Sequence, residues 1–308
     1  MKHRIANKFR EIVSGSPDGK PNWIAQIEAP GDAGLFGPES VVWEVHSSVA
    51  TLVGGVRALL LQAAHPAALA GVAEHSRYET DPLGRLAGTS RWLTITTFAS
   101  TQSIAREAAR VNAMHEKVAG EFEAKSGEAK PYQAKDPQYL LWVHCAFTES
   151  FLVAHQSFAS RLISHSRFAP DAEIPLSPHR YADRYIAEWS KSALALGLTK
   201  APQSSDELSH EMERFVREEL RSSEQSRRVV KFILRPPLGR APLLFYKFLA
   251  KSAIATLSDA QREVLELKAV SRAWLPATGL LLGLLKWTLG EKSPSHEAAL
   301  ARIEAFGN

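Results

Sequence analysis

An all-α single domain of about ten helices is predicted from three observations. Apolar residues recur at helical spacing through most of the chain, and no stretch alternates apolar and polar residues long enough to suggest a sheet. Helix-start signals recur at Asp81-Pro82, at Asp136-Pro137 and at Ser205 with Asp206 and Glu207. With 308 residues, 45% of them hydrophobic and 23% charged, the chain can bury one large core.

The elements follow in order. Ile5, Phe9, Ile12 and Val13 form an apolar stripe opposite Lys2, Lys8 and Arg10, which reads as a docking helix, with a membrane-surface helix as the alternative. Pro30-Gly31 and Gly37-Pro38 punctuate a lead-in. Residues 1–36 are therefore assigned to the docking helix and lead-in, and 37–308 to the main domain. From Ser40 the stretch "VVWEVHSSVATLVGGVRALLLQAAHPAALAGVAEH" is apolar around almost the whole helix circumference, as a helix inside a bundle is. Gly54-Gly55 disfavours helix, so close approach by another backbone or a ligand is expected there, and Pro66 stops or restarts the helix. Helices are expected at 82–98 and 101–120, followed by the polar connection "EFEAKSGEAKPYQAKDPQ". A long amphipathic helix starts at Pro137, a proline-rich loop follows it, and further helices run to about Leu198 and onward from Ser205. The C-terminal third is expected to pack back on the first two.

Composition excludes several function classes. Lys and Arg number 37 against 33 Asp and Glu, a net charge of +4, and no basic stripe interleaved with aromatics suggests nucleic acid. The single cysteine, Cys145, rules out an internal disulfide framework, and its apolar neighbours favour a buried inert thiol over a nucleophile. The first residues lack the apolar core and cleavage site of a secretion signal. The greasiest run, Ala273 to Leu285, is interrupted by Pro276 and falls short of the ~20 apolar residues that span a bilayer. A cytoplasmic protein without a transmembrane segment is expected; peripheral membrane contact and a homodimer both stay open.

Four places carry candidate chemistry. Arg85 and Thr89 in "DPLGRLAGTSRWL" lie one turn apart on one helix face, so they serve either a polar ligand or an ordinary buried ion pair and a back-bonded hydroxyl. His65 precedes Pro66 in an apolar context, as a core histidine bonded to a backbone carbonyl or as a functional one. His115 shares its helix side with Val111, Met114 and Val118, where a ligand competes with a core histidine. His144, Thr148, Phe151 and His155 form a stripe directed inward by Leu140 and Phe147, whose polar members either bind something or bond to one another. A di-iron bundle needs two Glu-x-x-His pairs, and the one present, Glu207 with His210, sits among charges. Zinc-protease, nucleophile-elbow and phosphate-loop motifs are lacking.

The ordered motifs "GGVRALLLQAAHPAALAGVAEHS", "DPLGRLAGT", "VNAMHEKVAG" and "PYQAKDPQYLLWVHCAFTESFL" resemble the family of the latex-clearing protein (rubber oxygenase) catalytic domain and the fungal ER-bound oxygenase of mycophenolic acid biosynthesis. The resemblance is clear from about Gly37 to Ser160. It implies an all-α fold enclosing haem b and an oxygenase that acts with O2 on a small hydrophobic substrate, olefinic, isoprenoid or lipid-like. The family's Arg-x-x-x-Thr motif falls on Arg85 and Thr89, implying catalytic and cofactor contacts, and its axial histidine falls on His115 as the iron ligand. His144 competes for that place, and His65 is a further cofactor-binding candidate. Gly88 stands where the rubber oxygenase has a lysine that caps the iron, so that distal ligand is lacking here. Glu74, Glu79 and Asp81 are merely near the place of that enzyme's acidic base. The alternative is a haem-free helical carrier of a hydrophobic ligand.

Overall fold

The protein, seen in a computed structural model, is described for residues 20–75, 82–162, 177–290 and 292–307; within helices, the side chains of 73–75, 82–87 and 159–162 are not described. The expected N-terminal docking helix, the side chains of Glu74 and Arg85, and Glu79 and Asp81 therefore lie outside the described part. Among the described residues fourteen helices and one small hairpin follow in order. They are α1 (Ile24–Glu28), α2 (Val41–Ser47), α3 (Thr51–Gln62), α4 (Pro66–His75), α5 (Pro82–Phe98), α6 (Thr101–His115), β1 (Ala119–Glu123), β2 (Ala129–Gln133) and α7 (Pro137–Leu162). The remainder are α8 (Pro178–Ala195), α9 (Ser205–Glu218), α10 (Glu224–Leu234), α11 (Arg240–Ala255), α12 (Asp259–Val264), α13 (Trp274–Leu289) and α14 (Pro294–Gly307). The fold is all-α, as the sequence predicts.

The extra helices come from breaks that side chains make. The apolar stretch from Ser40 divides at Ser48, where the Thr51 hydroxyl donates to the Ser48 carbonyl at 2.7 Å and the Ser48 hydroxyl accepts from Ala50 N–H at 3.2 Å. These local bonds compete with the helical ladder. Ser40 caps α2 by accepting from Trp43 N–H, and α4 restarts at Pro66, as expected from the sequence. In α9 the cap is Ser204, one residue earlier than Ser205, accepting from Glu207 N–H at 3.2 Å.

One element differs in kind. The helix expected over 101–120 ends at His115, and the polar connection folds into an antiparallel hairpin with Gly120 opposite Tyr132 and Phe122 opposite Lys130. Gly127, at φ +86°, makes its turn in a region that suits glycine. Tyr132 is buried with Ala67, Ala70 and Tyr139, and Val118 and Phe122 pack against them, so a few inward side chains hold the strands. A pattern with so few apolar residues gives almost no alternation to read.

The 26-residue α7, about 39 Å long, is the central post. Helix α3 lies closely against it: a Cβ on Gly54 would sit 2.6 Å from Phe151 Cδ1 and 3.1 Å from the Ser150 carbonyl oxygen. Gly54 thus meets the expected close approach, whereas a Cβ on Gly55 would meet nothing within 4 Å among the described residues. One turn on, the buried Arg57 donates to Glu149 at 2.8 Å, Ser150 at 3.0 Å and Gln261 at 3.0 Å, tying α3, α7 and α12 together. The C-terminal third packs back on the rest: α11 against α3, α13 against α7 and α14 against α1. Arg302 of α14, buried, donates to the carbonyls of Ile27 at 2.8 Å, Phe98 at 2.8 Å and Asp32 at 3.2 Å. Cys145 is buried in the core, and burial pushes its thiol up, which leaves it inert.

Candidate functional site

Helices α5 and α6 fold back on each other through the short Ala99-Ser100 link, and Ser100 caps α6 by accepting from Ser103 N–H. Their register is pinned by Glu107, buried on α6. Arg91 of α5 reaches both its carboxylate oxygens, with bonds of 2.8 to 3.0 Å, and Arg110 reaches them from one turn away, at 2.6 to 3.0 Å. Burial alone pushes the Glu107 carboxyl up, but the arginine hydrogen bonds outweigh it and hold the group below its ordinary value. Thr89 and Arg85 lie two and six residues before Arg91, about 3 and 9 Å along α5, while His115 lies eight residues past Glu107, about 12 Å along α6. The clamp therefore brings the backbone positions of Arg85, Thr89 and His115 to the same end of the helix pair.

His115 is the last residue of α6 and half-buried. Its Nδ1 is shielded from water and has no hydrogen-bond partner among the described residues. Burial first, and the Arg110 charge second, push its imidazole below the ordinary value, so it is neutral at pH 7. Val111 on its side of the helix is buried, whereas Met114 faces outward. Beside it a cleft of about 230 Å³ is lined by Asn112, Glu116, Lys135, Leu140 and Leu196, which joins the end of α6 to α7 and α8. A Cβ at Gly88 would meet nothing within 4 Å among the described residues.

The other histidines are differently placed. His65 is fully engaged: its Nδ1 faces Ala68 N–H at 3.4 Å, its Nε2 donates to Glu219 at 3.1 Å, and Trp142, Tyr139 and Phe215 surround the ring. Its partners are a carboxylate and an amide rather than the expected backbone carbonyl. His144 is buried and stacks on Trp189 with centroids 6.5 Å apart. The Thr148 hydroxyl donates to the His144 carbonyl at 2.6 Å and lies 3.5 Å from its Nε2, a back-bond within the stripe. Burial pushes the His144 imidazole down to about 4.

Sequence reasoning missed His46, on the seven-residue α2. Thr97 spends its proton on the Leu93 carbonyl at 2.7 Å, so His46 Nδ1–H donates to Thr97 Oγ1 at 2.8 Å and Nε2 accepts from the Tyr185 hydroxyl at 3.0 Å. Burial, with the nearby His155 second, pushes His46 down to about 3. His155 bonds Tyr181 at 3.1 Å and lies 3.6 Å from Glu44. This cluster joins α2, α5, α7 and α8 around Trp189.

The low values of His46 and His144 carry a pH consequence. Both stay mostly neutral in the fold at pH 5, whereas their unfolded value is 6.5, so their contribution is complete above pH 6.5 and is lost as pH falls below it. Near pH 5 unfolding takes up close to two protons on their account, a slope of about 2.7 kcal/mol per pH unit. Glu107 and Glu219, held low by their partners, add to the loss only below 4.5. Urea denaturation from pH 7 to 5 checks this, and a His144→Phe protein should lose one proton from the slope; an unchanged slope would refute the assignment.

Among the described residues no three His, Cys, Asp or Glu side chains gather as a metal site. The family described as ER-bound oxygenase mpaB/B'/Rubber oxygenase, catalytic domain, matches residues 43–288. The chain belongs to this family. No curated protein and no solved structure matches it. The mpaB/rubber oxygenase match runs from α2 to α13 and contains the whole α5/α6 pair with Arg85, Thr89 and His115. As a member of an oxygenase family, the protein is an oxidoreductase.

Proposed function

We propose that the protein is a cytoplasmic, haem b-dependent oxygenase that acts with O2 on a small hydrophobic substrate, olefinic, isoprenoid or lipid-like. The observation that carries this reading is the neutral His115 imidazole, with its shielded, unbonded Nδ1, at the same end of the helix pair as Arg85 and Thr89. Haem, when bound, supplies the iron redox chemistry that activates O2. His115 would hold the group through its imidazole, for which the neutral form is the competent one. Arg85 would pair with a propionate carboxylate. Thr89 would offer its hydroxyl as a hydrogen-bond donor on the oxygen-binding side, and Gly88 beside it has no side chain.

The test is the visible spectrum and iron content of protein produced with added haem precursor. A Soret band with bound iron is expected; a colourless, iron-free protein that binds lipid without turnover would establish the carrier instead. The Thr89→Val protein should retain iron and melting temperature while oxygen consumption falls by about ten-fold or more, as for a charge-assisted donor worth about 1.5–3 kcal/mol. Normal oxygen consumption with a lowered melt would make Thr89 a packing residue.

A further inference from the structure

Helix α13 is the most apolar run of the chain, yet Leu280, Leu284 and Trp287 are 76, 58 and 63% exposed. Their spacing of four and three residues puts them on one face. A contiguous exposed face of this kind is unusual for a surface that meets only water. Helix α11 packs beside α13: the Ser252 hydroxyl donates to Thr278 at 2.8 Å, Thr278 donates to the Phe248 carbonyl at 3.2 Å, and Phe248 meets Trp274 edge to face. On α11, Leu244 is also 59% exposed. The two helices carry Arg240, Lys247, Lys251 and Lys286 and not one Asp or Glu.

We infer that the α13 face, with its basic neighbours on α11, docks the protein on an anionic phospholipid surface. Charge selects the occupant. A second copy packed face to face would oppose the same cations, and the N-terminal stretch, with Lys2, Arg4, Lys8 and Arg10, has the same sign. An anionic bilayer supplies the opposite charge together with an apolar layer for the leucines, and tryptophan favours the boundary between the two. Among the described residues no single helix is long and apolar enough to cross a membrane. Helix α13 therefore lies in the interface plane, its apolar face down. This inference does not depend on the haem reading.

The test is flotation of the full chain with vesicles of phosphatidylcholine alone and of phosphatidylcholine with phosphatidylglycerol. The protein should float with the anionic vesicles, less with neutral ones, and less again at high salt. Leu284→Ser with Trp287→Ser should lower partitioning by at least about ten-fold, because binding scales with the buried apolar area, with an unchanged melting temperature. Lys247→Glu with Lys251→Glu should weaken anionic binding selectively. Absence of wild-type binding, or serine variants that float as well as wild type, would overturn the proposal. So would a dimer that the serine substitutions convert to a monomer while vesicles bind neither.

Discussion

His115→Ala should yield a folded protein that purifies without haem, its Soret band gone, while His144→Ala keeps most of its haem. The contrast follows from what each ring already does. His115 has a shielded nitrogen with no hydrogen-bond partner among the described residues, so alanine removes an unsatisfied atom and costs the fold little. His144 sits against Trp189 in the core, where removal opens a void and lowers stability, and in the proposed reading it is not the residue that holds the iron. Absorbance and iron content of both variants, read beside their thermal melts, make the check. If His144→Ala alone lost the Soret band, the two roles would be exchanged.

The largest loss of stability is expected at Glu149→Ala, about 3 kcal/mol or more, since it strands the guanidinium of Arg57 inside the core. Glu149 also accepts from Gln261, so one carboxylate serves both partners from α3 and α12. Glu149→Gln keeps an oxygen acceptor and should cost clearly less. Replacing Arg57 by Met together with Glu149 by Leu should recover much of the loss, because it removes the buried charge along with its partner. Chemical denaturation of the three proteins decides this; equal stabilities for Glu149→Ala and wild type would mean that water reaches Arg57.

What could be read in the sequence was local. Helix α5 has the bounds that its pattern suggests, α7 starts at Pro137 behind Asp136, and Gly54 is a point of close contact. Each rests on neighbours within a turn or two, or on backbone preferences that a single residue carries. Less visible were features made by distant partners. His46 takes its meaning from Thr97 and from Tyr185, 51 and 139 residues away, and no spacing on α2 announces either. The hairpin over 119–133 depends on Tyr132 packing under α4 rather than on alternation. The Glu107 clamp is similar: Arg110 is a local pairing, but Arg91 reaches it only because the two helices fold back on one another.

The three carbonyls that Arg302 gathers set an order on biosynthesis. Ile27 and Asp32 leave the ribosome some 270 residues ahead of the side chain that binds them, and Phe98, at the corner of the α5/α6 pair, about 204 ahead. Until Arg302 emerges, those carbonyls lack their guanidinium and the lead-in has no α14 to rest on. The nascent chain can therefore assemble α3 against α7 early, but it closes the corner beneath the α5/α6 pair among its last events, at the entropic cost of a very long loop.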